Sequence, residues 1–307
     1  MIVNTAVSPH ADERRNSALL SLFLADSTLL RQYSAKEVYE VDLIREFHKN
    51  QTSIPRSEIS VTVDNRDNFF DLTNPDSALY QLTKKSYCEG YLSSVTYGKA
   101  DSFIKKCRLF YDSFFEGVGT ITLKYTDAVS HSDFSTRYMT AAFNEINKTT
   151  ADAKEILEGI RLETGYPFEY AASDEIAEKM NFSKSSFMND STSVSIKDGL
   201  FEMATRLTTS FKSPVYFMID DSGAMMFKKQ LTAPTTSITR KHFINYEIKQ
   251  GKDCLISCIK DRGNVLYELG DIIEVVDGNK SFQTEIYKIH YRLANGNLSS
   301  EWEGVII

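Results

Sequence analysis

Short runs in which apolar and polar residues alternate constrain the fold of this chain more than any other feature. The run 59–63 places Ile59, Val61 and Val63 on one side and Ser60 and Thr62 on the other. Successive side chains of a strand point to opposite faces, so this period of two predicts a strand buried on one face. The stretch 38–47 follows the same pattern, with an apolar and an acidic side: Tyr39, Val41, Leu43 and Phe47 against Glu40, Asp42 and Glu46.

Further strands are predicted in two parts of the chain, before about residue 148 and after about residue 234. In the first part they fall in 91–98, 107–117 and 117–128, and the many aromatic residues of 107–117 indicate burial on both faces. In the last part they fall in 243–249, 254–260, 265–269, 271–277, 282–293 and 298–304. The turn sequences DRGN, DGNK and ANGN separate several of these runs, a spacing that favours an antiparallel barrel or sandwich.

The middle of the chain switches to helical patterns. A helix is predicted after Thr149 or Thr150, either of which can cap it, and Gly165 stands where its C-terminal cap belongs. A second helix begins at Ser195 with Asp198 three residues later, as in a capping box, and a hairpin with the turn DDSG follows it. The predicted fold is therefore β-rich α+β, with a β domain at 1–148, an α/β domain at 149–233 and a β domain at 234–307.

Net charge and hydropathy narrow the function classes. The 307 residues carry a formal net charge of −7, which disfavours general binding to nucleic-acid phosphates. No apolar run approaches the roughly 20 residues of a membrane span. The run 18–25 after Arg14 and Arg15 is too short and too far from the start for a signal peptide, so we expect a buried element and synthesis without export.

The four cysteines do not indicate a disulfide scaffold in a chain of this length. Cys254 and Cys258 lie four residues apart in a predicted strand, about 13 Å along it, which is too far for a disulfide. A second Cys pair at zinc-ligand spacing does not accompany them. We expect them to be buried free thiols that pack as small hydrophobes.

The loop DNRDNFFDLTNP, residues 64–75, is the strongest metal candidate because it is rich in carboxylates and amides. A calcium loop counted from Asp64 needs an oxygen ligand at position 3, Gly at 6 and Glu at 12, but Arg66, Phe69 and Pro75 stand there. Asn and Asp also favour turns, because their side chains bond nearby backbone groups. The loop is therefore expected to be a turn, with Phe69, Phe70 and Leu72 as apolar plugs into the core.

The sequence signals for a catalytic site are as weak as those for a metal site. The five histidines show no metal-ligand spacing, and the serine, histidine and aspartate of VSHSD around His131 are neighbours in sequence rather than a triad. Asp220 and Asp221 fall in a predicted hairpin turn, where Asp is common. The two carboxylates of a glycosidase could lie anywhere in the chain. We expect a protein that is not an enzyme, with no catalytic residue, no cofactor and no metal site.

The segment IPRSEISVTVDNRDNFFDLTNPDSALYQL resembles a recurring segment near the start of phage tail hub proteins. The matching positions are 60–65, 67–71, Asn74 and Pro75, where the family has a strand ending in TVDN, an acidic aromatic turn and NP. The helix of 151–165, the helix and hairpin of 198–229 and the strands of 269–293 are similar to later parts of the family. Asn68 stands where the family usually has Gly, and Asn tolerates the left-handed backbone that such a turn needs.

This resemblance implies two tail-tube-like antiparallel β-barrels with an α/β domain between them. It further implies a homotrimeric baseplate hub that joins the six-fold tail tube to the three-fold central spike, in a phage or a phage-tail-like contractile particle. The implied partners are a tail tube or distal tail protein, the spike and a tape measure protein. DNA would pass through the lumen without specific binding, and the protein would not insert into a membrane. It would be a virion component at the tail tip, assembled in the cytoplasm of the bacterial host.

Two other functions stay open at this point: a non-catalytic distal-tail or receptor-binding module, and a cell-wall-degrading tail enzyme. Many hubs of long-tailed phages extend into a C-terminal lysin or receptor-binding region. This sequence ends at Ile307, just after the second β region, so we expect such an enzyme to be a separate protein.

Overall fold

The computed structural model describes most of the chain, in the ranges 14–47, 55–96, 102–172, 176, 180–189, 192–220, 222–252, 254–261 and 267–307. The chain forms two compact units. The sheet unit contains residues 1–46, 57–125 and 231–307, and the helical unit contains residues 47–56 and 126–230. The division of the sequence into domains at residues 148 and 233 stays a prediction.

Twenty strands and four α-helices are assigned in the described residues. The first strands are β1 (Arg14–Phe23), β2 (Leu29–Tyr33), β3 (Val38–Glu46), β4 (Arg56–Asp64), β5 (Tyr87–Thr96), β6 (Ser102–Gly117) and β7 (Thr120–Thr126). The middle elements are α1 (Ser132–Thr136), α2 (Met139–Glu145), β8 (Thr150–Asp152), α3 (Ala153–Thr164), β9 (Tyr170–Ala172), β10 (Asn181–Ser183), β11 (Met188–Asn189), β12 (Thr192–Ser193), α4 (Ile196–Phe211), β13 (Val215–Ile219) and β14 (Met225–Lys229). The last strands are β15 (Thr236–Thr239), β16 (Asn245–Gln250), β17 (Leu255–Asp261), β18 (Ile272–Asp277), β19 (Lys280–Ala294) and β20 (Asn297–Ile306).

One 13-stranded sheet dominates the sheet unit, and most of its pairs are antiparallel. Its pairing path is β16–β17–β20–β19–β3–β4–β7–β6–β5–β1–β2, with β18 and β15 branching from β19. The first and last thirds of the chain meet where β3 pairs with β19, from Glu46 opposite Lys288 to Glu40 opposite Ala294. Within the described residues this path does not close on itself, so the two β-barrels implied by the resemblance stay a prediction.

The predicted strand 59–63 is confirmed as part of β4, with Ile59, Val61 and Val63 all buried. In β3, Val41 and Leu43 are buried as expected, but Tyr39 is exposed. The predicted strand at 265–269 is wrong for its described residues, because Tyr267 to Leu269 are not in a strand.

Among the described residues, the sheet core also buries one arginine and two acidic side chains that the patterns did not indicate: Arg45, Asp261 and Glu285. Asp261 lies opposite Ser300 on β20, and the Ser300 hydroxyl donates a hydrogen bond to its carboxylate. Burial raises the pKa of the neighbouring Tyr291, and the carboxylate of Asp261 acts in the same direction. This part of the core is therefore polar and hydrogen-bonded rather than purely apolar.

The helical unit confirms both predicted long helices. α4 begins at Ser195, whose hydroxyl accepts a hydrogen bond from the Asp198 N–H. α3 ends at Gly165, which has the expected left-handed backbone with φ of 68°. The predicted N-cap of α3 was wrong: Asp152, not Thr149 or Thr150, accepts from the Glu155 N–H, because α3 begins at Ala153 and Asp152 is the residue directly before it. The predicted hairpin is formed by β13 and β14.

Glycines allow close packing of these helices. A Cβ on Gly159 of α3 would lie 2.3 Å from the carbonyl oxygen of Ala142 in α2. A Cβ on Gly199 of α4 would lie 2.1 Å from Cγ of Met139. The backbones of α2 and α3 are therefore in direct contact, which a larger residue at position 159 would prevent.

Candidate functional site

The loop after β4 is held by a buried asparagine. Asn65 is buried, and its side-chain amide nitrogen donates to the Phe70 carbonyl oxygen at 2.7 Å. Its amide oxygen accepts from the Phe70 N–H at 3.0 Å. One side chain thus closes the turn from residue 65 to residue 70 by satisfying both backbone groups of Phe70, which is itself buried.

The carboxylate of Asp67 fixes this turn to strand β2. It accepts from Nη1 of Arg31 at 2.7 Å and from the Phe69 N–H at 3.3 Å. The Arg31 guanidinium lies 4.5 Å from the ring centre of Phe69 and 4.6 Å from that of Tyr33. The arginine is therefore placed between two aromatic faces and also pairs with a carboxylate.

The other acidic groups of the loop also bond to their own turn. Asp71 accepts from the N–H and hydroxyl of Thr73, at 2.8 and 2.7 Å, and the Thr73 hydroxyl is the main cause that lowers the pKa of Asp71. Asp64 accepts from Nε of Arg66 at 2.9 Å, and this side-chain contact lowers the pKa of Asp64. These hydrogen bonds are the local ones that favour Asp and Asn in turns.

This geometry supports the prediction that the loop is a turn. Asn68 has the expected left-handed backbone, with φ of 54°. Phe70 is buried as predicted, whereas the prediction for Leu72 was wrong, because 46% of that residue is exposed. In the parts of the chain that the structure describes, no group of three His, Cys, Asp or Glu side chains is placed to hold a metal ion.

The same loop supports the hairpin formed by β6 and β7. The Asn65 N–H donates to the carbonyl oxygen of Gly119, the second residue of the hairpin turn, at 3.0 Å. Gly119 has φ of 68°, and a Cβ there would lie 3.1 Å from Cγ of Arg66, so the arginine stem lies against this glycine. The loop therefore braces the hairpin turn from one side.

The supported hairpin ends in exposed apolar side chains. β5 pairs with β6 only as far as Phe110, so β6 continues to Gly117 with no β5 partner in the described residues. Phe115 is 69% exposed and Val118 is fully exposed. The prediction that the aromatics of 107–117 are buried on both faces was therefore wrong at Phe115.

We call Asp112, Phe115, Glu116 and Val118 the braced tip. An exposed apolar pair at the end of a hairpin is typical of a protein-binding surface rather than of a catalytic pocket. The braced tip is the candidate functional site of the sheet unit. Sequence reasoning missed it because strand periodicity does not show which strand extends beyond its neighbour.

The other sequence candidates that the structure describes have the following surroundings. The Ser130 hydroxyl donates to Asp127 at 3.1 Å, and the His131 ring is buried and stacked on Tyr166 with ring centres 5.4 Å apart. The carboxylate of Asp220 accepts from the N–H groups of Ser222 and Ala224 in its turn. Asp221, His10 and His48 lie outside the described residues.

Two further histidines and the cysteines have structural surroundings. His242 accepts from the Thr239 N–H at 2.9 Å, and Nε2 of His290 lies 2.9 Å from Asp42. The four cysteines are present as thiols, and Cys254 and Cys258 are half-buried rather than fully buried as expected. No helix in the described residues has the length and apolar character needed to cross a bilayer.

Solved structures identify the fold. The tail protein from Neisseria meningitidis MC58 aligns with a TM-score of 0.57 and 9% identity, over 94% of this chain and 96% of that one. The 43 kDa tail protein of prophage MuSo2 from Shewanella oneidensis aligns with a TM-score of 0.56 and 8% identity, over 94% of this chain and 97% of that one. No protein-family model matches the sequence, and no curated protein matches it significantly. The chain therefore has the β-rich fold of phage tail proteins, and its structural neighbours are such proteins.

Proposed function

We propose that the chain is the structural hub of a phage tail or of a phage-tail-like contractile particle. Three copies form a ring that joins the six-fold tail tube to the three-fold central spike. The observation that carries this proposal is the fold shared with two tail proteins over 94% of the chain and almost all of theirs. A likeness over the whole length of both chains indicates a shared architecture rather than one shared motif.

In this proposal the chain supplies two barrel-like domains, at 1–148 and 234–307, with the α/β domain 149–233 between them. The two barrel-like domains are then joined edge to edge, because β3 of the first pairs with β19 of the second. Three chains with two such domains each match a six-fold tube, so the ring converts six-fold into three-fold symmetry.

The proposed partners follow from that position in the tail. They are a tail tube or distal tail protein on one side, the spike on the other and a tape measure protein in the channel. The protein acts in the virion, at the tail tip, after assembly in the host cytoplasm, and it does not insert into a membrane. The net charge of −7 supports a lumen through which DNA passes without binding, because like charges repel phosphate.

The proposed role is not enzymatic. It needs rigid strands and binding surfaces, which the braced tip supplies, and it needs no reacting side chain. Turnover of peptidoglycan by the isolated chain, abolished by replacing one carboxylate, would instead favour the cell-wall-degrading alternative.

The mass of the purified chain in solution tests the proposal. Light scattering over a concentration series is expected to give three times the chain mass of 34.9 kDa, and negative-stain images are expected to show rings with a central opening. A chain that stays monomeric at every concentration and gives no rings would contradict the hub.

A further inference from the structure

Strand β16 stands at one end of the pairing path and has an open edge within the described residues. At its turn to β17, the Gly251 N–H donates to the Cys254 carbonyl oxygen at 2.8 Å, so these two residues form a hydrogen-bonded pair. Such pairs alternate with non-bonded ones along an antiparallel ladder, so Glu247 and Lys249 also direct their backbone groups to β17. The backbone groups that point to the open edge are then those of Tyr246, Ile248 and Gln250.

One face of this hairpin is apolar and uncovered. Ile248 of β16 lies opposite Ser257 of β17. Leu255, two residues before Ser257, is therefore a diagonal neighbour of Ile248 on the same face. Ile259 of that face is fully buried, whereas Ile248 is 48% and Leu255 45% exposed. The core-facing side of the sheet thus runs out to the open edge without a cover.

The opposite face of β16 carries two charges of opposite sign. Glu247 and Lys249 flank Ile248, and Nζ of Lys249 lies 3.5 Å from a carboxylate oxygen of Glu247. Both side chains are mostly exposed, so this pair within one strand contributes little to stability. Each charge still has room for a second partner across the open edge.

The order Glu247, Ile248, Lys249 is complementary to itself when the strand is reversed. In an antiparallel pair of two β16 strands with a two-fold axis at Ile248, Glu247 of each copy lies opposite Lys249 of the other. That position is not hydrogen-bonded, which is where side chains of opposite residues are closest. Moving the axis by one residue would place Glu247 opposite Glu247, or Lys249 opposite Lys249, which is unfavourable.

We infer that β16 is a self-association edge, to which β16 of a second copy adds antiparallel about a two-fold axis at Ile248. One register satisfies the outward backbone groups, joins the apolar faces at Ile248 and alternates the four charges on the other face. The contact is self-complementary, so it needs one surface only. The inference goes beyond the proposed function: subunits of a three-fold ring are not related by a two-fold axis, so the contact joins chains of different rings.

The size of the edge sets the expected strength of this contact. β16 has six residues, so the joined surface is small and the pairing should be reversible. An open edge also attracts unrelated strands, which leads to aggregation. A two-fold pair uses up both edges and stops there, so it protects the free chain from open-ended growth.

Cysteine crosslinking in the full-length chain tests the register. Cys254 and Cys258 are first replaced by Ser, because Cys258 lies opposite Glu247 in its own chain. A mixture of the variants Glu247→Cys and Lys249→Cys is expected to form a disulfide dimer under mild oxidation, with a peptide that joins positions 247 and 249. Each variant alone should give little dimer, because identical positions are then diagonal and about 7–8 Å apart.

A matched control keeps one partner of that mixture. Leu162 is exposed in the helical unit, so Leu162→Cys mixed with Lys249→Cys measures crosslinking by random collision. It should give no more dimer than Lys249→Cys alone. A dimer of equal yield from all these samples would overturn the inference.

Charge variants give a second readout. In the same background, Ile248→Cys is expected to crosslink to itself, since the two Cα atoms lie about 5.5 Å apart at the axis. Adding Glu247→Lys or Lys249→Glu should abolish this crosslink, because like charges then face each other. Mixing the two charge variants should restore it, because each then meets the opposite charge in the other. An unchanged yield in both charge variants would overturn the proposed register.

These outcomes separate the inference from the proposed function. If the wild type is trimeric by light scattering but the mixture of Glu247→Cys and Lys249→Cys gives no dimer, the hub stands and the β16 contact is overturned. If the mixture crosslinks but the wild type never forms trimers, the β16 contact stands and the ring is contradicted.

Discussion

The contacts that stabilise each of the two compact units differ in how far apart the contacting residues are in the sequence. In the helical unit, signals within a few residues set each long helix: Asp152 and Glu155 begin α3, and Gly165 ends it. In the sheet unit, Glu40 and Arg292 pair at 2.9 Å although 252 residues separate them in the sequence. Local signals define the helices, whereas the sheet depends on segments from both ends of the chain.

The two units also differ in what a single key residue contributes to the fold. The backbone of Gly159 touches that of Ala142, so the helical unit depends on the absence of a side chain. The loop of the sheet unit depends on the presence of one, because the Asn65 amide satisfies both backbone groups of Phe70. Substitutions at these two positions should therefore act on different units and report on them separately.

The largest effect is expected from Gly159→Ala. The new Cβ would meet a backbone carbonyl at 2.3 Å, which cannot rotate away, so α2 must move from α3 at a cost of about 3 kcal/mol. Gly199→Ala meets the flexible side chain of Met139 instead and should cost only about 1 kcal/mol. Denaturant titration followed by the circular dichroism of the helices measures both. Equal losses for the two variants would show that backbone contact is not what limits α3.

The next effect is expected from Asn65→Ala. It leaves the buried N–H and C=O of Phe70 without their side-chain partner and should lower the free energy of unfolding by about 2 kcal/mol. The single tryptophan, Trp302, is buried in the sheet unit, so its fluorescence reports this loss. The control Asn74→Ala removes an exposed turn bond to the Asp76 N–H and should change stability by less than about 0.5 kcal/mol. A neutral Asn65→Ala would contradict the bracing role of the loop.

A smaller effect is expected from Asp67→Ala, which removes the partner of Arg31. The pair is partly exposed, so the loss should be about 0.5 kcal/mol, and it should shrink further in high salt. Calcium content, measured by elemental analysis, should be the same in wild type and variant. Stoichiometric calcium in the wild type that disappears in the variant would replace the turn interpretation by a metal site.

The smallest effect is expected from Glu155→Gln in the helical unit. The hydrogen bond from Lys148 holds the pKa of Glu155 below its ordinary value of 4.5. A carboxyl with a lowered folded-state pKa stabilises the fold above its ordinary pKa, and that stabilisation is lost as pH falls through the lowered value. The variant should therefore be less stable by a few tenths of a kcal/mol above about pH 5, where the pair is charged, and match the wild type in stronger acid.

The partner substitution Lys148→Gln serves as the control for this pH dependence. It should remove the same increment over the same pH range, measured by thermal unfolding at a series of pH values. A constant difference between Glu155→Gln and wild type at every pH would assign the effect to the capping box instead.

Features set by adjacent residues could be predicted from the sequence. The alternation of Ile59, Val61 and Val63 predicted their burial in β4, and the turn preference of Asn68 predicted its positive φ. Gly165 predicted the end of α3 for the same reason. These properties depend on the backbone and on a few neighbours, which a single sequence contains.

Features set by distant segments could not be predicted. Arg45 follows the apolar period of Val41 and Leu43 and is buried with them, but its surroundings come from other strands. The exposure of Phe115 depends on β5 ending its pairing at Phe110, which no local pattern shows. The candidate surface therefore depends on which strands pair and how far, and a single sequence does not contain that information.

A reconstruction of the assembled particle tests the central claim most directly. We expect density for three copies of this chain in a ring at the end of the tail tube, next to the spike. Absence of the chain from purified particles, or its presence only on host-binding fibres, would contradict a structural hub.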